Sequence, residues 1–213
     1  MRQFIKLFIL LLFFAGGCQV IFAQASRSYS AFNPAKNNAI KRFDTLKVGH
    51  CYNLDDVTTI GLIFRYYLGD MWVGAFKNNR NREPVAAFDT VNVSDSTHLY
   101  FYRTNNTSDG IVVIWESRYI YDSELRAYMF KDGNLKKMGK IDVDLDDALV
   151  TRVSYPVSKI RISTDGRKIK FTFKEHLKLR ISQPFAPEDF YYIYEGGNQL
   201  IPVKKGKIGK PVW

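Results

Sequence analysis

The sequence predicts an all-β fold in which antiparallel strands follow one another as a meander of hairpins. Three observations lead to this prediction. Short runs rich in β-branched and aromatic residues recur along the chain, turn residues such as Asp109-Gly110 and Asp165-Gly166 separate them, and long amphipathic helices do not alternate with them. The meander is predicted to form a β-sandwich, a propeller-like sheet or a barrel, with at most one short N-terminal helix.

The first residues have the pattern of a secretory signal peptide. Arg2 and Lys6 precede the uncharged run from Leu7 to Ala15, and the small residues Ala23 and Ala25 offer two cleavage sites. The apolar run is too short and too interrupted for a transmembrane helix, which needs about 20 residues. We therefore expect residues 1–23 to be a signal peptide and the mature chain to act in the periplasm or the extracellular space.

A second export route stays open at Cys18. The sequence Ala15-Gly16-Gly17-Cys18 resembles a bacterial lipobox, in which the cysteine is acylated and tethers the protein to the membrane. The motif prefers leucine at the position that Ala15 occupies here, so soluble release is the favoured prediction and lipid anchoring is the alternative. After cleavage at residue 23 only Cys51 remains, and no intrachain disulfide can form.

The mature chain divides into a polar N-terminal segment and one domain. In residues 24–47, Asn33-Pro34 has the pattern of an N-cap and first helical position for one short helix ending near Phe43, and disorder is an equal alternative. Residues 48–213 are predicted to form a single all-β domain, since a chain of this size buries about 70% of its unfolded surface.

Strand signals dominate after residue 48. Thr58 to Leu68 and Met71 to Phe76 flank Gly69-Asp70 and predict a hairpin. A second pattern occurs twice, because Asp132-Gly133-Asn134 and Gly196-Gly197-Asn198 each follow an aromatic strand, but a repeat protein requires a third copy. The predicted strands are 58–68, 71–76, 85–91, 97–103, 111–116, 119–130, 135–141, 149–155, 157–163, 168–174, 177–181, 190–194 and 199–203.

Motifs for catalysis, metals and cofactors are absent from the sequence, so we predict no catalytic, metal-binding or cofactor-binding residue. The acidic cluster Asp142, Asp144, Asp146 and Asp147 lacks the glycine and glutamate of a calcium loop and is interpreted as a solvated strand edge. His50, His98 and His176 are each isolated in sequence from a plausible catalytic or metal-binding partner. Cys51 is interpreted as a small buried hydrophobic residue.

Positive charge is concentrated at the C-terminal end. The formal net charge is +10, and residues 151–213 carry 13 basic and 5 acidic side chains. In a strand, the alternation of apolar and basic residues from 159 to 181 would put one face in the core and a cationic stripe on the other. The predicted anion-binding residues of this stripe are Lys159, Arg161, Lys168, Lys170, Lys174, Lys178 and Arg180.

These observations predict an exported cell-envelope protein that is a non-catalytic binding or structural module. The stripe would bind an anionic lipid, an acidic glycan or an acidic protein, and the alternative is that it only keeps the outer face soluble. Nucleic acid is not expected, because the outward positions of the stripe lack interleaved aromatic residues. A secreted hydrolase without a recognisable motif and a small outer-membrane β-barrel are the two alternative functions.

Overall fold

The computed structural model describes residues 25–37, 42–43, 46–65, 70–78, 84–92, 96–118, 123–145, 155–178, 185–197, 199–205 and 207–208. Within these ranges the regular structure is β-strand, apart from the single 3-10 turns Thr107–Asp109 and Val157–Lys159. The predicted all-β class is therefore confirmed. No helix in the described ranges is long and apolar enough to cross a membrane. The predicted signal peptide and the alternative lipidation site Cys18 lie outside the described residues.

The described residues form eighteen strands. In order they are β1 (Arg27–Ser28), β2 (Ser30–Phe32), β3 (Arg42–Phe43), β4 (Leu46–Asn53), β5 (Thr58–Arg65), β6 (Asp70–Lys77), β7 (Pro84–Asn92), β8 (Ser96–Arg103), β9 (Ile111–Arg118), β10 (Ser123–Lys131), β11 (Asn134–Ile141), β12 (Asp144–Leu145), β13 (Ile160–Thr164), β14 (Ile169–Phe173), β15 (Leu177–Lys178), β16 (Phe190–Tyr194), β17 (Ile201–Lys204) and β18 (Lys207–Ile208).

The strands form three open antiparallel sheets. The N-terminal sheet has the order β3-β4-β5-β6-β7, the middle sheet β11-β10-β9-β8-β2, and the C-terminal sheet β1-β13-β14-β16-β17-β18. A two-stranded ribbon of β12 and β15 completes the described strands. Among the three predicted architectures, stacked open sheets are consistent with the sandwich.

The middle sheet is buried on both faces. On one face of β9, Val112 and Ile114 pack into a core with residues of the C-terminal sheet such as Phe171. On the other face, Val113 and Trp115 pack into a second core with the N-terminal sheet. Because successive side chains of a strand point to opposite faces, a strand between two cores must be apolar at every position. This explains the unbroken apolar run at the start of β9.

The described part of the N-terminal segment forms strands and not the predicted helix. Arg27–Ser28 pairs with β13 of the C-terminal sheet, and Ser30–Phe32 pairs with β8 of the middle sheet. Farther along, the backbone N–H of Asn37 donates to the Cys51 carbonyl at 2.9 Å. The helix signal at Asn33-Pro34 is local, and pairing with distant strands outweighs it.

Most predicted strands coincide with observed ones, with two differences near the basic residues. The first hairpin is confirmed as Thr58–Arg65 paired with Asp70–Lys77, but its predicted two-residue turn is wrong, because Asp70 lies in the second strand and pairs with Arg65. The predicted strand 157–163 starts with a 3-10 turn and becomes a strand at Ile160. The predicted strand 168–174 ends at Phe173, and strand structure resumes at Leu177–Lys178. The predicted strand 149–155 lies outside the described residues except for Tyr155, which is fully buried.

Candidate anion-binding site

The C-terminal sheet shows the alternation that the basic region predicted. Ile160 and Ile162 of β13 and Phe171 of β14 face the core, whereas Arg161 and Lys170 are exposed on the outer face. Arg161 lies opposite Thr172, and Lys170 lies opposite Ser163. The two cationic side chains therefore share one face of two neighbouring strands.

Only part of the predicted stripe lies on this face. Lys168 stands at the start of β14 and forms an ion pair with Glu195, while Lys159 ends the 3-10 turn and forms an ion pair with Glu175. The Lys174 ammonium donates to the Ser158 carbonyl at 3.1 Å. Lys178 lies opposite Asp144 in the backbone register of the small ribbon, and Arg180 lies outside the described residues. The structure thus places Arg161 and Lys170 on one face of β13 and β14, with Lys168 just before β14. Lys159 and Lys174 lie next to each other beyond the other end of this strand pair, where the Lys174 N–H donates to the Lys159 carbonyl at 3.1 Å.

An open groove of about 480 Å³ lies on this outer face. Its lining includes Lys170 of β14 and Lys168 of the turn before that strand. Ser163 of β13 and Tyr191 and Ile193 of β16 complete this part of the lining. The Lys170 ammonium lies 3.8 Å from the centroid of the Tyr191 ring, which is the geometry of a cation–π contact. We call this feature the outer groove.

The acidic side chains next to the outer groove are engaged in its framework. The Asp165 carboxylate accepts the backbone N–H groups of Arg167 at 2.8 Å and Lys168 at 2.7 Å, and these hydrogen bonds lower the pKa of Asp165. The Glu195 carboxylate accepts from Lys168 and raises the pKa of that ammonium. Of the two lysines that line the outer groove, Lys168 is paired with Glu195, whereas Lys170 forms no ion pair with a described residue, so its charge is the more available to a ligand.

Sequence analysis did not identify the neutral residues of the outer groove. Tyr191 supplies an aromatic ring beside the basic positions, although the basic segment itself has none on its outward side. The alternation in Phe190–Tyr194 does indicate that Tyr191 and Ile193 point outward. That β16 is the neighbour of β14 follows from the sheet order and not from the local pattern.

Two carboxylates among the described residues are buried, and both have structural environments. Glu116 accepts from the Tyr100 hydroxyl at 2.7 Å, and Asp109 lies beside Arg27 and Thr104. Arg27 donates to the Asp109 carboxylate from Nε at 2.8 Å and from Nη2 at 2.6 Å, and the Thr104 hydroxyl lies 2.7 Å from Oδ2. These contacts lower the pKa of Asp109, which makes it a weak base. The cluster holds β1 against the Thr107–Asp109 turn.

The other candidates for chemistry are dispersed. His50, His98 and His176 are exposed, and Cys51 is buried with its thiol 3.7 Å from the Gly49 carbonyl. Asp142 lies 3.7 Å from the Lys140 ammonium, and Asp146 and Asp147 are outside the described residues. Within the described part of the chain, no three acidic, histidine or cysteine side chains are grouped as metal ligands.

No protein-family model, curated protein or solved structure gives a significant match to this chain.

Proposed function

We propose that the protein is an exported, non-catalytic binding module of the cell envelope and that the outer groove binds an acidic glycan. The observation that carries this proposal is the Lys170 ammonium held 3.8 Å from the Tyr191 ring inside an open groove. The ring restricts the lysine side chain, so less conformational entropy is lost when the ammonium meets an anion. Export is supported by the charged start and apolar run of residues 1–23.

The mixed lining of the groove favours a glycan over other anions. Lys168 and Lys170 can pair with carboxylate or sulfate groups, the Ser163 hydroxyl can hydrogen-bond sugar hydroxyls, and Ile193 offers an apolar surface to ring carbons. A membrane surface would be favoured by many free cations on one face, but Lys159 and Lys174 are engaged elsewhere. The open shape of the groove also suits a glycan, because an extended polysaccharide chain fits an open groove better than a closed pocket.

Affinity electrophoresis tests this proposal with polygalacturonate as the acidic probe and dextran as the neutral one. We expect polygalacturonate to retard the mature protein, dextran to leave its migration unchanged, and added salt to remove the retardation. Lys170→Gln is expected to weaken binding by a factor of about 1.5–5, the range of one exposed ion pair. Tyr191→Ala should also weaken it, because the ammonium is no longer held in place.

The matched control is Lys174→Gln, an exposed lysine after the same strand but outside the outer groove. It should bind like the parent, and both lysine variants should keep the parental melting temperature. Equal retardation of the parent and Lys170→Gln would contradict the assignment of the groove. Equal retardation by dextran would contradict an acidic ligand, and binding only to phosphatidylglycerol vesicles would replace the glycan by a lipid surface.

The route of export is tested by the intact mass of the protein recovered from the envelope. Cleavage before Gln24 or Ser26 gives a free N-terminus and supports soluble release. A mass that begins at Cys18 and includes acyl chains would overturn release in favour of the tethered form.

A further inference from the structure

A second cavity lies at one end of the sandwich, between the middle and the C-terminal sheets. Three tight turns meet there, Asp132-Gly133 after β10, Asp165-Gly166 after β13 and Gly196-Gly197 after β16. Their positive φ values at Asp132, Gly166 and Gly196 make each reversal sharp, and the cavity between them measures about 270 Å³. We call it the turn-end pocket.

The turn-end pocket combines an apolar floor with a cationic rim. Met129, Ile169 and Tyr194 are buried side chains of the floor, whereas Lys131, Lys136 and Arg167 are exposed around the opening. None of these three cations forms an ion pair with a described residue. Lys140, Lys159 and Lys205, by contrast, each form an ion pair with a carboxylate.

The cations of the pocket outnumber its unpaired carboxylates. Asp132 also lines the opening and is exposed, so the three cations of the rim face one carboxylate that forms no ion pair with a described residue. The buried carboxylate of Asp109 is already neutralised by Arg27, and the nearby charge of Lys131 further lowers its pKa. Tyr194 is 5% exposed, and its hydroxyl makes no hydrogen bond within the described residues. Burial raises the pKa of Tyr194, so the hydroxyl remains a donor for a ligand.

We propose that the turn-end pocket binds a small amphiphilic carboxylate. Its apolar body would contact Met129 and Ile169, and its carboxylate would lie among Lys131, Lys136 and Arg167. A cavity of about 270 Å³ is just below the usual size range of ligand pockets, so it admits a compact molecule and not a polymer. This proposal is independent of the glycan proposal, because the outer groove lies on the opposite face of the C-terminal sheet.

Methionine methyl NMR tests the pocket with phenylacetate as the probe. The mature chain has three methionines, Met71, Met129 and Met138, and only Met129 lines the turn-end pocket. We expect phenylacetate to shift the Met129 methyl signal with a dissociation constant of roughly 1–10 mM, as befits a ligand of about ten non-hydrogen atoms. The Met71 signal, from the other core, should stay unchanged.

Two comparisons test whether the binding depends on the charges of the ligand and of the rim. Phenylacetamide has the same shape without the charge and should bind at least about fivefold more weakly. The triple variant Lys131→Gln, Lys136→Gln and Arg167→Gln should lose about tenfold in phenylacetate affinity, since each exposed ion pair contributes a factor of about 1.5–5. Its melting temperature should match that of the parent, because all three side chains are exposed.

Lys170→Gln is the control that separates the two sites. It should retain phenylacetate binding while polygalacturonate binding is weakened, and the triple variant should show the reverse. An unshifted Met129 signal at about 50 mM phenylacetate, well above the expected dissociation constant, would overturn the proposal. Equal binding of phenylacetate and phenylacetamide, or unchanged binding by the triple variant, would also overturn it.

Discussion

Gly139 lies where the middle sheet meets the segment before β17, and replacing it by alanine should destabilise the protein strongly. Its φ is +134°, a conformation that alanine rarely adopts, and an added Cβ would lie 2.8 Å from the backbone nitrogen of Leu200. The backbone strain costs about 1–3 kcal/mol, and relieving the contact costs about 1–3 kcal/mol more. We therefore expect Gly139→Ala to lower the free energy of unfolding by about 2–6 kcal/mol.

Gly133→Ala provides the matched control. Gly133 also has a positive φ, +71°, but no atom lies within 4 Å of an added Cβ, so only a backbone cost of about 1–2 kcal/mol applies. Urea denaturation followed by tryptophan fluorescence measures the free energy of unfolding of both variants. In a thermal scan, each kcal/mol lost would lower the melting temperature by about 2–4 °C for a domain of this size. Equal losses in the two variants would refute the argument, because the contact with Leu200 would then contribute nothing.

Two further predictions concern the buried polar cluster and the core. The folded-state pKa of Asp109 lies below its ordinary value of 3.8, so the carboxylate stabilises the fold above that pH and this contribution is lost as the pH falls through the folded-state pKa. Urea denaturation should therefore show the gap in unfolding free energy between the parent and Asp109→Asn shrinking below about pH 4, whereas a constant gap would contradict the assigned cause. Phe171 is fully buried between two sheets, so Phe171→Ala should cost about 3–5 kcal/mol in the same assay, while Val57→Ala at a 63% exposed position should stay within about 0.5 kcal/mol. Similar losses in these two variants would argue against the core described above.

The strands of the chain could be predicted because their signals are local. The hairpin Thr58–Arg65 and Asp70–Lys77 has two β-rich runs around one turn, and the alternation of Ile160, Arg161 and Ile162 states which side of the strand is buried. The positions of turns could also be predicted from residue type, since Asp132 and Gly133 both adopt the positive φ that such residues tolerate.

The pairing of distant strands could not be read from these patterns. The N-terminal segment has a local helix signal, yet Ser30–Phe32 becomes an edge strand because β8 has unpaired backbone groups beside it. The candidate sites also depend on which distant strands pair with one another. Tyr191 stands next to Lys170 only because β16 pairs with β14, and the three turns of the turn-end pocket come from hairpins of two different sheets.

The first strands of the described chain also set the order in which the molecule can fold. In the strand pairings, Arg27 lies opposite Thr164 and Ser30 lies opposite Arg103. The segment that joins the two sheets therefore pairs with strands that are synthesised much later. Pairings of such long sequence separation form slowly, because a large loop must close first. Until these loops close, β1 and β2 lack the strand partners through which they join the C-terminal and middle sheets.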